Sequence, residues 1–183
     1  MNFDVHTIET SPESAKLPLA EAVKGYGFLP NMIGVMSEAP ALLKAYRALS
    51  ELFGQTSLSR DERNVVMLTV SRENGCEYCV AAHTGIATMQ RVPAEVVNAI
   101  RDGKPISDAR LEAIRAFTAA LVHSRGFATE SQLEAFIGAG YTKAQVLEVV
   151  LGIGFKTLSN YTNHLAHTPL DPKFAAAAWK KED

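Results

Sequence analysis

The stretch Ser71-Arg72-Glu73-Asn74-Gly75-Cys76-Glu77-Tyr78-Cys79-Val80-Ala81-Ala82-His83 decides how this chain is read. Upstream of it run Val65, Val66, Met67, Leu68 and Val70, apolar on nearly every side, as a buried helix would be. Asn74-Gly75 breaks that helix, because both residue types tolerate the left-handed conformation. In the helix that follows, Cys76, Cys79 and His83 fall at i, i+3 and i+7, on one face. Cys76 lies in the first turn, where the helix's partial positive charge favours thiolate over thiol. His83 is one turn beyond Cys79 and can take its proton or stabilise its anion. A second thiol three residues away can attack a sulfenic acid or mixed disulfide formed on the first. Cys79 is four residues from His83 and Cys76 is seven, so Cys79 is the better placed nucleophile.

Working outward, the whole chain reads as all-α. No segment shows sustained two-residue alternation bounded by hairpin turns. Ser59-Arg60-Asp61-Glu62, Thr129-Glu130-Ser131-Gln132 and Thr142-Lys143-Ala144-Gln145 have the form of capping boxes. Pro40 and Pro93 fit first helical positions. Helices are predicted over about 15–26, 40–54, 59–73, 76–90, 93–102, 107–125, 129–138 and 142–167. The helix at 107–125 carries an apolar stripe at Leu111, Ile114, Phe117 and Leu121, so one face should cover the core. The helix over 142–167 is apolar nearly all round and should sit centrally or at a subunit contact. An internal repeat at an offset of 83 residues is a further candidate, setting Ser59-to-His83 against Thr142-to-Ala166, with Tyr78 opposite Tyr161. A single domain over 1–183 is expected, with loosely held ends at about 1–14 and 180–183.

Composition excludes several classes. Of 183 residues, 47% are hydrophobic and 21% charged, so the chain can bury a core. Lys and Arg number 18 against 20 acids, a net charge of -2, which gives no footprint for nucleic acid or an anionic membrane. No run is long and apolar enough for a membrane span, and Met1 to Ser14 lacks an apolar signal region. A cytoplasmic protein is expected. Both cysteines lie in one tetrapeptide, which closes too small a loop for a structural disulfide to gain much. In a reducing compartment such a pair points to redox chemistry or a metal. A structural zinc would need four ligands, and no second CxxC or HxxxH exists; His164 and His167 could contribute only by folding back. Two buried, inert cysteines are the remaining alternative, against which stand the flanking Asn-Gly, Glu and His.

Together with Leu58-Ser59-Arg60-Asp61-Glu62-Arg63, Gly27-Phe28-Leu29-Pro30-Asn31 and Asn160-Tyr161-Thr162-Asn163-His164, the motif resembles the alkylhydroperoxidase D-like branch of the carboxymuconolactone decarboxylase superfamily. The resemblance covers about residues 25–175. It implies an all-helical homo-oligomer, a trimer or hexamer, that reduces hydroperoxides through a dithiol–disulfide cycle. It implies Cys79 as peroxidatic thiol, Cys76 as resolving thiol and His83 as the activating residue, with a lipoyl-bearing or thioredoxin-like dithiol donor. The cycle requires no metal, flavin or haem. The family's peroxidases carry a relay glutamate 12 residues before the first cysteine, where this chain has Asn64. Glu73 is a candidate substitute. Tyr78, Asn160, Asn163 and His167 are candidate pocket residues. The departure at Asn64 keeps a second reading open, a redox-responsive interaction protein without enzymatic activity; a third is a decarboxylase-like enzyme that uses the same pocket without thiol turnover.

Overall fold

Three reciprocal caps set the frame. In the computed structural model, which describes residues 2–181, Glu62 N donates to Ser59 Oγ at 3.2 Å and Ser59 N donates to Glu62 Oε2 at 2.7 Å. Thr129 with Gln132, and Thr142 with Gln145, cap their helices in the same way. Such a cap is worth about 1 kcal/mol. Nine α-helices and one 3-10 turn result among the described residues. They are α1 (Glu13–Tyr26), α2 (Asn31–Met36), α3 (Pro40–Gly54), α4 (Arg60–Glu73), α5 (Glu77–Met89), α6 (Ala94–Asp102), α7 (Ala109–Ser124), α8 (Glu130–Gly138), α9 (Lys143–Ala166) and the turn Pro172–Ala177. Pro40 starts α3 as predicted, but Pro93 stands one position earlier, as the cap of α6. Helix α2 and the final turn escaped the sequence reading because each is only six residues long.

Helix α4 is the centre. It packs against α5, α6, α7 and α9 and buries Val65, Val66, Leu68 and Val70. Each such side chain contributes about 1.5–3 kcal/mol on burial. Helix α7 turns Ile114, Phe117 and Leu121 inward, the stripe read from its periodicity. Helix α9 has two unlike faces. Its inner face buries Val149, Gly152, Phe155, Lys156, Ser159, Asn160 and Asn163, whereas Leu147, Val150, Tyr161 and Leu165 on its outer face are exposed. At Gly152 an added Cβ would stand 2.7 Å from Val66 Cγ1 and 2.8 Å from Phe53 Cε2, so glycine lets α9 approach α4 and α3 closely.

The internal repeat does not extend to the helix break. Helix α9 runs without interruption through the positions that correspond to Asn74 and Gly75. Segments near both ends make contacts with the helices. His6 Nε2 lies 2.6 Å from Glu38 Oε2, and the His6 carbonyl packs against Gly34. Trp179 Nε1 donates to the Arg101 carbonyl, while the Arg101 guanidinium donates to the carbonyls of Ala177 and Ala178. Residues 1, 182 and 183 of those expected loose ends lie outside the described residues.

Candidate functional site

The junction of α4 and α5 places the two cysteines. Asn74 ends α4, and Gly75 takes φ +68. Gly75 N donates to the Arg72 carbonyl at 2.8 Å and Cys76 N to the Ser71 carbonyl at 2.9 Å, the paired bonds of a Schellman motif. Cys76 therefore closes α4 and caps α5, and Cys79 falls at the third residue of α5. Both thiols feel the helix N-terminus, so this field alone does not separate them. They are free, come within 2.9 Å of each other, and are each 1% exposed.

Helix α9 supplies the opposite wall. Asn163 Nδ2 donates to Cys79 Sγ at 3.2 Å and reaches Cys76 Sγ at 3.8 Å. Asn160 Oδ1 accepts from Asn74 Nδ2 at 2.9 Å, which ties the wall to the helix break. Ser159 Oγ lies 3.9 Å from Cys79 Sγ. Lys156, 1% exposed, donates from Nζ to Ser159 Oγ at 2.9 Å and approaches His83 Nε2 at 2.7 Å. Lys156, Ser159, Asn160 and Asn163 recur at helical spacing on one face of α9.

These neighbours drive the thiols apart electrostatically. Burial opposes ionisation of Cys79, but the hydrogen bond from the Cys76 thiol, the Lys156 charge and the Asn160 and Asn163 amides outweigh it. Cys79 is brought down to about 5. Asn160 Nδ2 makes no well-formed hydrogen bond among the described residues, so its pull on the sulfur is electrostatic. Cys76 moves the opposite way, raised far above the thiol range by its bond to Cys79, by burial and by the Cys79 charge. His83 is held well below its ordinary value by burial and by Lys156, and is neutral at physiological pH.

Several predicted site residues are placed differently. His83 does not hydrogen-bond Cys79 directly among the described residues; it meets Lys156, which meets Ser159 beside the sulfur. Asn64 Nδ2 donates to the Arg60 carbonyl and to Gln90 Oε1, away from the thiols. Glu73 binds Arg72 and His123 on the outer side of α4, and both its oxygens are taken. Tyr78 points its hydroxyl at Asp171, which also accepts from Asn31 N, so it fastens α2 to the C-terminal segment. His167 is exposed and ends α9 in the left-handed conformation. Asn160 and Asn163 are at the thiols as expected. Lys156 and Ser159 were missed because the run around them was read as apolar. The signal was the polar set Lys156, Ser159, Asn160 and Asn163 recurring at helical spacing inside it. Among the described residues no group of three or more His, Cys, Asp or Glu side chains is gathered for a metal, and no helix is long and apolar enough to cross a membrane.

Comparison with known proteins gives the same frame. Residues 40–116, from α3 into α7, match the Carboxymuconolactone decarboxylase family. No curated protein matches significantly. Among solved structures, the alkylhydroperoxidase AhpD core of a peroxidase-related protein from Ralstonia eutropha JMP134 superposes with a TM-score of 0.84 at 21% identity, covering 94% of this chain and 93% of that one. A peroxidase-related protein from Silicibacter sp. TM1040 gives 0.80 at 18%, covering 95% and 92%. The debrominase Bmp8, solved with 2,3,4-tribromopyrrole, gives 0.76 at 19%, covering 90% and 89%. The CxxC break between α4 and α5 lies inside the segment that matches the Carboxymuconolactone decarboxylase family, and the chain shares its fold with the AhpD core.

Proposed function

We propose that the chain reduces hydroperoxides through a dithiol–disulfide cycle at Cys79 and Cys76. The observation that carries this reading is the pairing itself. A buried thiolate at Cys79 receives hydrogen bonds from Asn163 and from a protonated Cys76 that stands within 2.9 Å. The Cys79 thiolate attacks the peroxide; the S–O bond forms, the O–O bond breaks, and the alkoxide leaves with a proton as an alcohol. Cys76 then attacks the sulfenic sulfur, water departs, and the disulfide closes. An external dithiol, lipoyl-bearing or thioredoxin-like, restores both thiols by exchange and is itself oxidised to its disulfide. Two buried amide atoms beside the sulfurs have no hydrogen-bond partner among the described residues, Asn160 Nδ2 and Asn163 Oδ1. Unpaired buried polar atoms cost about 1–3 kcal/mol each, and a donor with an acceptor suits the –O–OH group of a hydroperoxide. The exposed apolar face of α9 supports a homo-oligomer, for which the family resemblance suggests a trimer or hexamer, and the reducing chemistry suits the cytoplasm.

The test is turnover of cumene hydroperoxide with a small dithiol donor. Cys79→Ser abolishes the first oxidation. Cys76→Ser still forms a sulfenic acid on Cys79, trapped by dimedone, but does not turn over. Turnover that survives loss of both cysteines would remove the reading. Reduction of a bromopyrrole without reduction of any hydroperoxide would move it to dehalogenation.

A further inference from the structure

Lys156 presents a problem of charge. Its ammonium is buried, and no carboxylate pairs with it among the described residues. The well-buried carboxylates have other partners: Glu62 pairs with Arg110, Glu73 with Arg72 and His123, and Asp171 with Tyr78 and Asn31. A buried cation without an anion costs several kcal/mol. The neutral imidazole of His83 and the hydroxyl of Ser159 solvate Lys156 but do not neutralise it. Cys79 is the acidic group nearest this chain of contacts: its sulfur lies 3.9 Å from Ser159 Oγ, which accepts from the ammonium and donates its own proton to the Lys156 carbonyl, so the hydroxyl must turn to serve the sulfur.

Resting on the thiol-cycle reading above, we propose that Lys156 is the counter-cation and proton carrier of the dithiol. It holds Cys79 as a thiolate in the reduced protein and passes a proton through Ser159 to the departing alkoxide. The steps balance. Thiolate, ammonium, hydroperoxide and the Cys76 thiol become disulfide, neutral amine, alcohol and water, with no net charge on either side. When an external dithiol reduces the disulfide, its two protons are divided: one returns to Cys76 and the other to Lys156. Lys156 is a positioning residue, acting on the sulfur through Ser159 and through its field. The other titratable groups facing Cys79 are Cys76, His83 and Tyr78 on α5 and Tyr46 on α3. Both tyrosines are pushed up, chiefly by burial, and stay neutral over the range that matters.

The experiment follows the ultraviolet absorbance of the thiolate against pH in the reduced full chain, with melting temperature and oxidation rate read on the same samples. Lys156→Met is expected to move the Cys79 midpoint up by a unit or more, which leaves about tenfold less thiolate at a pH below both midpoints. The same variant should melt no lower than the parent, because an apolar side chain replaces a buried charge. Lys156→Arg should keep the low midpoint. An unchanged midpoint in Lys156→Met overturns the proposal, and so does a lower melting temperature without a change in midpoint. Ser159→Ala tests the proton path independently of how Lys156→Met folds. Oxidation by cumene hydroperoxide should slow about tenfold, the scale of lost general-acid help. Alkylation by iodoacetamide, whose iodide leaves without a proton, should be unchanged. Equal effects on both reactions overturn the path. If the parent chain titrates low at Cys79 yet reduces no hydroperoxide, the functional reading fails while the counter-ion role stands.

Discussion

A thiol sealed from water ordinarily resists ionisation, so the groups around Cys79 decide whether it reacts. Four of them favour the anion, and Asn163 is the closest amide, donating at 3.2 Å. With Cys79 brought down to about 5, the thiolate is complete at neutral pH and is lost as pH falls through that value. The rate of Cys79 oxidation should therefore be level between about pH 6 and 8 and drop about tenfold per unit below about 5, read by stopped flow. An ordinary thiol would instead gain rate steadily up to about pH 8.5. Asn163→Leu removes a hydrogen bond to a charged group, worth about 1.5–3 kcal/mol. It should raise the Cys79 midpoint by one to two units on the order of magnitude that energy implies, as measured by alkylation rate against pH. The sequence made Cys76, Cys79 and His83 legible because they lie on one helix at fixed spacing. It did not reveal Lys156, since a contact 73 residues apart depends on how α9 docks on α5.

At the level of elements, local signals were legible and docking was not. The three capping boxes and the Asn74-Gly75 break are written within a few residues, and each is formed as read. Which face of α9 turns inward depends on Gly152 meeting Val66 and Phe53, a long-range fit that periodicity in a nearly continuous apolar run does not specify. Gly152→Ala should therefore overpack this crossing and cost about 1–3 kcal/mol in urea unfolding. Because α9 carries Asn160 and Asn163, the same variant should also slow the Cys79 reaction. Gly154, two residues on, has open space at its Cβ position and should accept alanine at no loss of stability, which makes it the control.

For the molecule as a whole, the outer face of α9 departs from a self-sufficient bundle. Leu147 is 69% and Leu165 71% exposed, with Val150 and Tyr161 between them on the same side. If this stripe is the subunit contact, light scattering at micromolar concentration should find an oligomer, and Leu147→Glu with Leu165→Glu should yield monomers. The thiol site lies on the opposite face of α9, against α5, so monomers should keep the Cys79 midpoint. The proposed chemistry makes Cys79 and Cys76 one redox unit driven by a hydroperoxide. Intact and peptide mass spectrometry of the reduced protein after one equivalent of cumene hydroperoxide tests it most directly. Loss of two hydrogens is expected, with a single crosslink between Cys76 and Cys79. Unchanged thiols, or oxygen addition at Cys79 that never proceeds to the crosslink, would contradict it.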